Sequence, residues 1–154
     1  MYKRHLIKGY LYITQVMFYF IFSPIANGQD QVNDEYKSRA DYLIHSIYFG
    51  GGSYFIDEQQ QKELLNFIKS IENIEHYDVS VHAHTDNIGS KAFNDWLSYQ
   101  RSQAVVELLI QFSIERETIN IKSFGKLNPV YDNDSWTGKL KNRRVDVILW
   151  PLAL

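Results

Sequence analysis

The sequence predicts an α+β fold: a β-α-β-α-β-β two-layer sandwich, with a mixed four-stranded sheet and two helices on one face. Three observations predict it. Four short segments, at 43–49, 77–84, 119–124 and 143–150, are apolar and β-prone, and the last three alternate with period two. Two longer segments between them repeat their apolar residues with helical period. Helical crossovers join strands that can run parallel, while the final loop connection can return the chain antiparallel, and two packed layers are the expected way to bury such elements.

The first strand, Leu43 to Phe49, is stopped by Gly50-Gly51-Gly52, which permits positive φ and a close approach of backbone to its neighbours. Asp57 is a natural N-cap for the helix that follows, in which Leu64, Leu65, Phe67, Ile68 and Ile71 recur at helical spacing. In the second strand, Tyr77, Val79, Val81 and Ala83 share one face, and Asp78, Ser80, His82 and His84 the other. The second helix runs from Ser90 to Phe112, and Ala92-Phe93, Trp96-Leu97, Ala104-Val105 and Leu108-Leu109 are expected to supply its apolar stripe. A third strand starts at Ile119 and ends at Gly125. A loop holding Pro129, Asn133, Asp134 and Gly138 leads to the last strand, Arg143 to Trp150. The folded domain is expected at 42–150, after a polar lead-in at 29–41.

Residues 1–28 have a different character. Lys3, Arg4 and Lys8 precede an apolar stretch from Leu11 to Phe22, and small residues follow at Ala26 and Gly28. This order matches a secretory signal peptide cut before Gln29. The apolar stretch is short of the ~20 residues a spanning helix needs. Membrane attachment would therefore come only from an uncleaved signal. Removing the segment leaves 13 basic and 18 acidic residues, a formal charge of −5. No basic cluster stands out, which argues against nucleic acid as a partner. The chain has no cysteine, so thiol chemistry, Cys-based metal sites and a lipidated cysteine are all excluded.

The segment from Val79 to Arg101 carries the chemistry. Asp86 lies just past the second strand, where its bland role is to cap a turn. At 100° per residue, Asn94, Ser98 and Arg101 fall within about 60° of one another on the second helix. Val105 and Leu108 lie on the same side, so a face that is apolar in the second half of the helix is polar in the first. Polar groups on a buried face demand partners. Asp86 is one candidate for Arg101, and a bound ligand is the other. A carboxylate and a guanidinium together suit a zwitterion, with an ammonium and a carboxylate on one carbon.

His82-x-His84-x-Asp86 can also be read as half of a zinc hydrolase site. That type of site wants another histidine where Asn87 stands, and His45 and His76 have no ligand spacing. No metal, cofactor or catalytic group is expected. Arg143 and Arg144 open the last strand and must point to opposite faces.

Together these residues resemble the OmpA-like peptidoglycan-binding domain, shared by the C-terminal part of outer membrane protein A, peptidoglycan-associated lipoprotein and the stator protein MotB. The family pattern G-H-T-D-x-x-G stands here as Ala83-His84-Thr85-Asp86-Asn87-Ile88-Gly89. N-x-x-L-S-x-x-R-A stands as Asn94-Asp95-Trp96-Leu97-Ser98-Tyr99-Gln100-Arg101-Ser102. G-x-x-x-P is Gly125 to Pro129, and N-R-R-V is Asn142 to Val145. The resemblance spans Ile44 to Leu149.

The resemblance implies the same β-α-β-α-β-β sandwich, and non-covalent binding of the peptidoglycan stem peptide through diaminopimelate. Asp86 would take the ligand ammonium. Arg101 would take its carboxylate, which a planar fork matches better than a point charge. Asn94 would add a hydrogen bond, and the turn from Thr85 through Asn87 to Ile88 would line the pocket. Asn142 and Arg143 or Arg144 would close it or brace Asp86. The implied setting is the periplasm or the outer membrane, with peptidoglycan as partner in anchoring the envelope. Loss of the ligand in favour of docking another envelope protein is the alternative, motivated by the glycine loop and by Tyr48, Tyr54 and Tyr131. The chain departs from the family at Ala83, at Ser102 and at the loop Gly50 to Ser53, where the family carries Asp or Asn. Contacts from those side chains are lost. With no β-barrel sequence ahead of it, the domain is expected to stand alone behind its export signal.

Overall fold

The computed structural model describes residues 42–152. The expected signal segment and the whole lead-in lie outside the described residues. The elements are β1 (Leu43–Tyr48), α1 (Glu58–Lys69), β2 (Tyr77–His84), α2 (Lys91–Gln111), β3 (Ile119–Gly125), α3 (Trp136–Asn142) and β4 (Arg144–Pro151). Single 3-10 turns precede β2 and β3.

The sheet order is β1-β4-β2-β3. The last strand thus inserts in the middle, antiparallel to both β1 and β2, while β2 and β3 run parallel across the α2 crossover. This is the mixed sheet that the sequence predicts. Central placement buries β4 from Arg144 to Leu149.

Both long helices are capped at their N-termini, the first by Asp57 as its sequence suggests. The Asp57 side chain accepts from the Gln60 amide, and the Ser90 side chain from the Phe93 amide. Gln60 also brackets the edge strand, accepting from the Tyr48 amide at 2.7 Å and donating to its carbonyl at 2.9 Å. The core forms where Leu64 and Ile68 of α1 and Val105, Val106 and Leu109 of α2 meet Ile47, Val79, Val81, Val145 and Val147 of the sheet.

Two expectations need correction. The connection from Gly125 to β4 is not all loop, because it holds α3, N-capped by Ser135, whose hydroxyl accepts from the Gly138 amide. Seven residues are too few to show a helical period, so no repeat marks α3 in the sequence. Gly138 serves packing, since a β-carbon there would collide with the Asp132 carbonyl. Second, Phe93 and Trp96 do not join the core; they are 44% and 48% exposed. Asn94, Ser98 and Arg101 take the inner side of α2, and at 100° per residue Trp96 then points nearly the opposite way.

Candidate functional site

The ends of β2 and β3 meet the first half of α2 at a junction built from short-range demands. The β2–β3 register shifts between Ala83 and His84, so that Phe124 of β3 is left without a partner in the ladder and His84 pairs with Gly125. The Thr85 amide then donates to the Gly125 carbonyl at 2.8 Å. The Gly125 amide donates to Ser98 Oγ on α2 at 3.0 Å. Gly125 adopts φ +55°, and a β-carbon there would strike Asp95. Glycine at this position therefore lets strand and helix approach. Ser98, which shares the inner face with Asn94 and Arg101, has its buried hydroxyl satisfied by this contact and by donation to the Asp95 carbonyl.

Beside this junction lies a cavity of about 150 Å³. Its polar wall is made by Thr85, Asp86, Asn94, Arg101 and Arg143, and its apolar wall by Ile88, Phe93 and Leu97. Backbone at Gly51 and Gly52 closes one side.

Asp86 is 6% exposed. Its Oδ1 accepts from the Ile88 amide at 3.1 Å, which shapes the turn, and its Oδ2 accepts from Arg143 Nε at 2.7 Å. Arg101 is completely buried, and its three nitrogens donate to three backbone carbonyls: Nε to Ser53 at 2.9 Å, NH1 to His84 at 3.0 Å and NH2 to Gly50 at 3.0 Å. The Phe49 ring lies 5.0 Å from the guanidinium carbon. Burial lowers the Arg101 pKa to about 10, against the pull of Asp86 and with a push from Arg143, so the side chain stays charged at neutral pH. Arg101 thus shares the cavity with Asp86 but makes these three hydrogen bonds to neutral acceptors.

The glycine loop therefore has a role beyond losing side-chain contacts. Its carbonyls at Gly50 and Ser53 hold Arg101. A β-carbon on Gly51 would stand 3.3 Å from Arg143 NH1, so the bare backbone gives that guanidinium room. Asn94 donates to the Ile88 carbonyl at 2.9 Å and to the Ser90 carbonyl at 3.0 Å, fixing the turn against the helix. Thr85 Oγ1 donates to the Asp86 carbonyl.

The remaining sequence-predicted residues are placed elsewhere. Asn87 is exposed and Ile88, also exposed, lines the cavity. Asn142 lies outside the cavity wall: it accepts from the Tyr131 amide and donates to the Tyr131 carbonyl and Asn133 Oδ1, pinning the loop before α3. Arg143, the residue between α3 and β4, faces the cavity, and Arg144, the first residue of β4, faces the opposite side of the sheet, as alternation of neighbouring extended residues predicts. Arg143 also lies 5.0 Å from the Trp136 ring centroid.

On that opposite side, Arg144 Nε donates to both Asp146 oxygens, at 3.2 and 2.9 Å, and Ser46 Oγ donates to Asp146 Oδ1 at 2.7 Å. His84 Nε2 is 4.0 Å from Asp146 Oδ2, and its ring stacks on Phe124 at 4.9 Å. Burial lowers the His84 pKa to about 4, helped by Arg144 and His82 and opposed by Asp146. His84 Nδ1, His82 Nε2 and Arg144 NH1 have no hydrogen-bond partner among the described residues. The His82-x-His84-x-Asp86 triplet is thus split, with both histidines against Phe124 and Asp86 bonded to Arg143. Among the described residues, no three groups of metal-ligand type gather.

Sequence reasoning missed Gly51, Gly52, Phe93 and Leu97 as cavity walls. The glycines show no chemistry of their own, and the apolar pair reads as part of the helix stripe. Their positions flanking Asn94 were the available signal for Phe93 and Leu97.

The chain is similar to outer membrane porin F of Pseudomonas aeruginosa, 34% identical over 86 residues, covering 55% of this chain and 24% of that protein. It is similar to peptidoglycan-binding protein ArfA of Mycobacterium tuberculosis, 34% identical over 71 residues, covering 46% of this chain and 22% of that protein. The matches thus span about a quarter of those relatives' lengths. Among solved structures, the peptidoglycan-associated lipoprotein of Burkholderia pseudomallei superposes with a TM-score of 0.62 at 25% identity, covering 68% of this chain and 88% of that one. The OmpA family model matches residues 48–143, a span that holds every wall of the cavity, and the chain belongs to the OmpA family.

Proposed function

We propose that this chain binds peptidoglycan non-covalently, by seating the zwitterionic end of a diaminopimelate-type stem peptide in the cavity. The observation that carries the reading is the charge balance of the wall. One carboxylate, Asp86, shares the cavity with two guanidiniums, and Arg143 takes its Oδ2. Arg101 is left bonded to neutral carbonyls. A buried cation without a carboxylate favours a ligand that brings one, and removal from water strengthens that attraction. A ligand ammonium would share Asp86 with Arg143, while the ligand carboxylate would lie against Arg101 and Arg143.

Asn94, Thr85 and the backbone from Asn87 to Ile88 shape the wall, and Asn142 and Arg144 support it from outside. The relatives' own descriptions, an outer membrane porin, a peptidoglycan-binding protein and a peptidoglycan-associated lipoprotein, support an envelope role. In this reading the protein is exported to the periplasm, associates with the outer membrane side of the envelope, anchors it to the wall and catalyses nothing.

The test is co-sedimentation of the full chain with insoluble peptidoglycan, alongside Asp86→Asn and Arg101→Lys variants whose folding is checked by circular dichroism. Wild type should sediment and the variants should stay largely soluble. Equal retention of all three would sink the assignment of the cavity. The competing reading, a docking module for another envelope protein, draws on Arg143 already satisfying Asp86. It predicts a folded wild type that does not sediment.

A further inference from the structure

Beside the cavity three aromatic rings stand half-exposed in series. Phe93 forms part of the apolar wall of the cavity. Its ring centroid is 5.9 Å from that of Trp96, with planes tilted by 34°. Trp96 in turn meets Tyr54 edge-on at 6.2 Å and 90°. Phe93 and Trp96 are one turn apart on α2, and Tyr54 follows directly on the loop that supplies Gly51 and Gly52 to the cavity. The three are 44%, 48% and 47% exposed and adjoin one another, and contiguous exposed apolar groups, unlike scattered single ones, mark contact surfaces.

We infer that Trp96, flanked by Phe93 and Tyr54, is a saccharide-binding shelf that takes an N-acetylhexosamine ring of the peptidoglycan glycan while the cavity holds the attached peptide. This inference rests on the reading of the cavity as a stem-peptide site. The shape fits a pyranose. One face of such a sugar is a patch of C–H groups, weakly positive, and it matches the negative face of an indole ring. Tyr54, set at right angles to Trp96, gives the shelf an upright edge and a hydroxyl for the polar rim of the sugar.

Charge points the same way. The nearest charged groups along α2, Lys91 and Asp95, bind each other at 2.6 Å, leaving the shelf itself uncharged, as a neutral sugar requires. Length agrees as well. An extended peptide advances about 3.5 Å per residue, so two or three residues bridge one to two ring spacings. A stem residue in the cavity and the sugar to which its peptide is tethered can therefore be held together. Two linked sites of this kind raise affinity without either being strong alone.

The test uses two soluble probes made from peptidoglycan: a disaccharide–tripeptide, and the same tripeptide freed of sugar. Affinities for the full chain are measured by titration calorimetry. Wild type should bind the sugar-bearing probe about five- to tenfold more tightly than the bare peptide. Trp96→Ala should bring that ratio close to one and leave peptide affinity unchanged, whereas Trp96→Phe should keep part of it. Asp86→Asn should weaken both probes together. A ratio that survives Trp96→Ala and Tyr54→Ala overturns the shelf while leaving the cavity assignment standing. Wild type binding neither probe overturns the cavity reading and the shelf with it. If sedimentation shows that Trp96→Ala converts a dimer to a monomer, with the sugar preference intact, the rings are a self-association surface and the saccharide assignment is wrong.

Discussion

Arg143 Nε donates to Asp86 Oδ2 at 2.7 Å, linking the start of the last strand to a turn 57 positions earlier. Both side chains are more than nine-tenths buried. The acid with which the family pattern would greet a ligand ammonium therefore already has a cation in place. In the proposed function the ligand does not fill an empty charge; it enters a carboxylate–guanidinium pair and adds a carboxylate of its own.

Asp86→Ala should destabilise the domain by about 3 kcal/mol, because it strands a buried guanidinium. Arg143→Ala should cost a similar amount. The double variant should cost clearly less than the sum, since neither charge is then left alone. Urea denaturation at neutral pH measures all three. A single-variant cost below about 1 kcal/mol would show the pair to be solvated.

Arg101→Lys should be nearly as harmful as Arg101→Ala. An ammonium is a point donor on a flexible stem and cannot span the carbonyls of Gly50, Ser53 and His84 as the guanidinium does. Leaving one or two buried carbonyls unpaired should cost roughly 2–4 kcal/mol. The check is the denaturation midpoint of each variant. A lysine variant as stable as wild type would contradict the three-carbonyl clamp.

Gly125→Ala and Gly52→Ala separate strain from collision. Both glycines have positive φ, +55° and +66°, so alanine at either costs roughly 1 kcal/mol of backbone strain. Space around Gly52 is open, whereas at Gly125 the new β-carbon meets Asp95. The Gly125 variant should therefore melt several degrees below the Gly52 variant in a thermal scan. Equal melting temperatures would show that Asp95 moves aside freely.

His84 should make the fold acid-sensitive. Its ordinary pKa of 6.5 is lowered to about 4, first by burial and then by Arg144, with Asp146 opposing. Between these values the unfolded chain takes up a proton that the folded chain refuses. Stability is complete above about pH 6.5 and declines as pH falls towards 4, by roughly 1–3 kcal/mol. His84→Asn should flatten this part of the stability–pH curve, measured by denaturant titration at half-unit steps. An unchanged slope would assign the acid sensitivity to other groups.

The order of the four strands and two long helices, the cap at Asp57 and the shared face of Asn94, Ser98 and Arg101 were legible in the sequence alone. Those follow from local rules: alternation along a strand, 100° per helical residue, and a side-chain oxygen beside free amides. The sequence also brought out Asp86, Arg101 and Asn94, because polar residues on a face that later becomes core break the pattern. Their partners come from the fold. Inserting β4 between β1 and β2 carries Arg143 to Asp86, and the approach of the glycine loop turns Arg101 towards backbone carbonyls. Which of two guanidiniums reaches a carboxylate depends on contacts between residues tens of positions apart, and periodicity in a single chain holds no record of those. The same holds for the aromatic series, where Tyr54 and Trp96 meet only because a loop and a helix pack side by side.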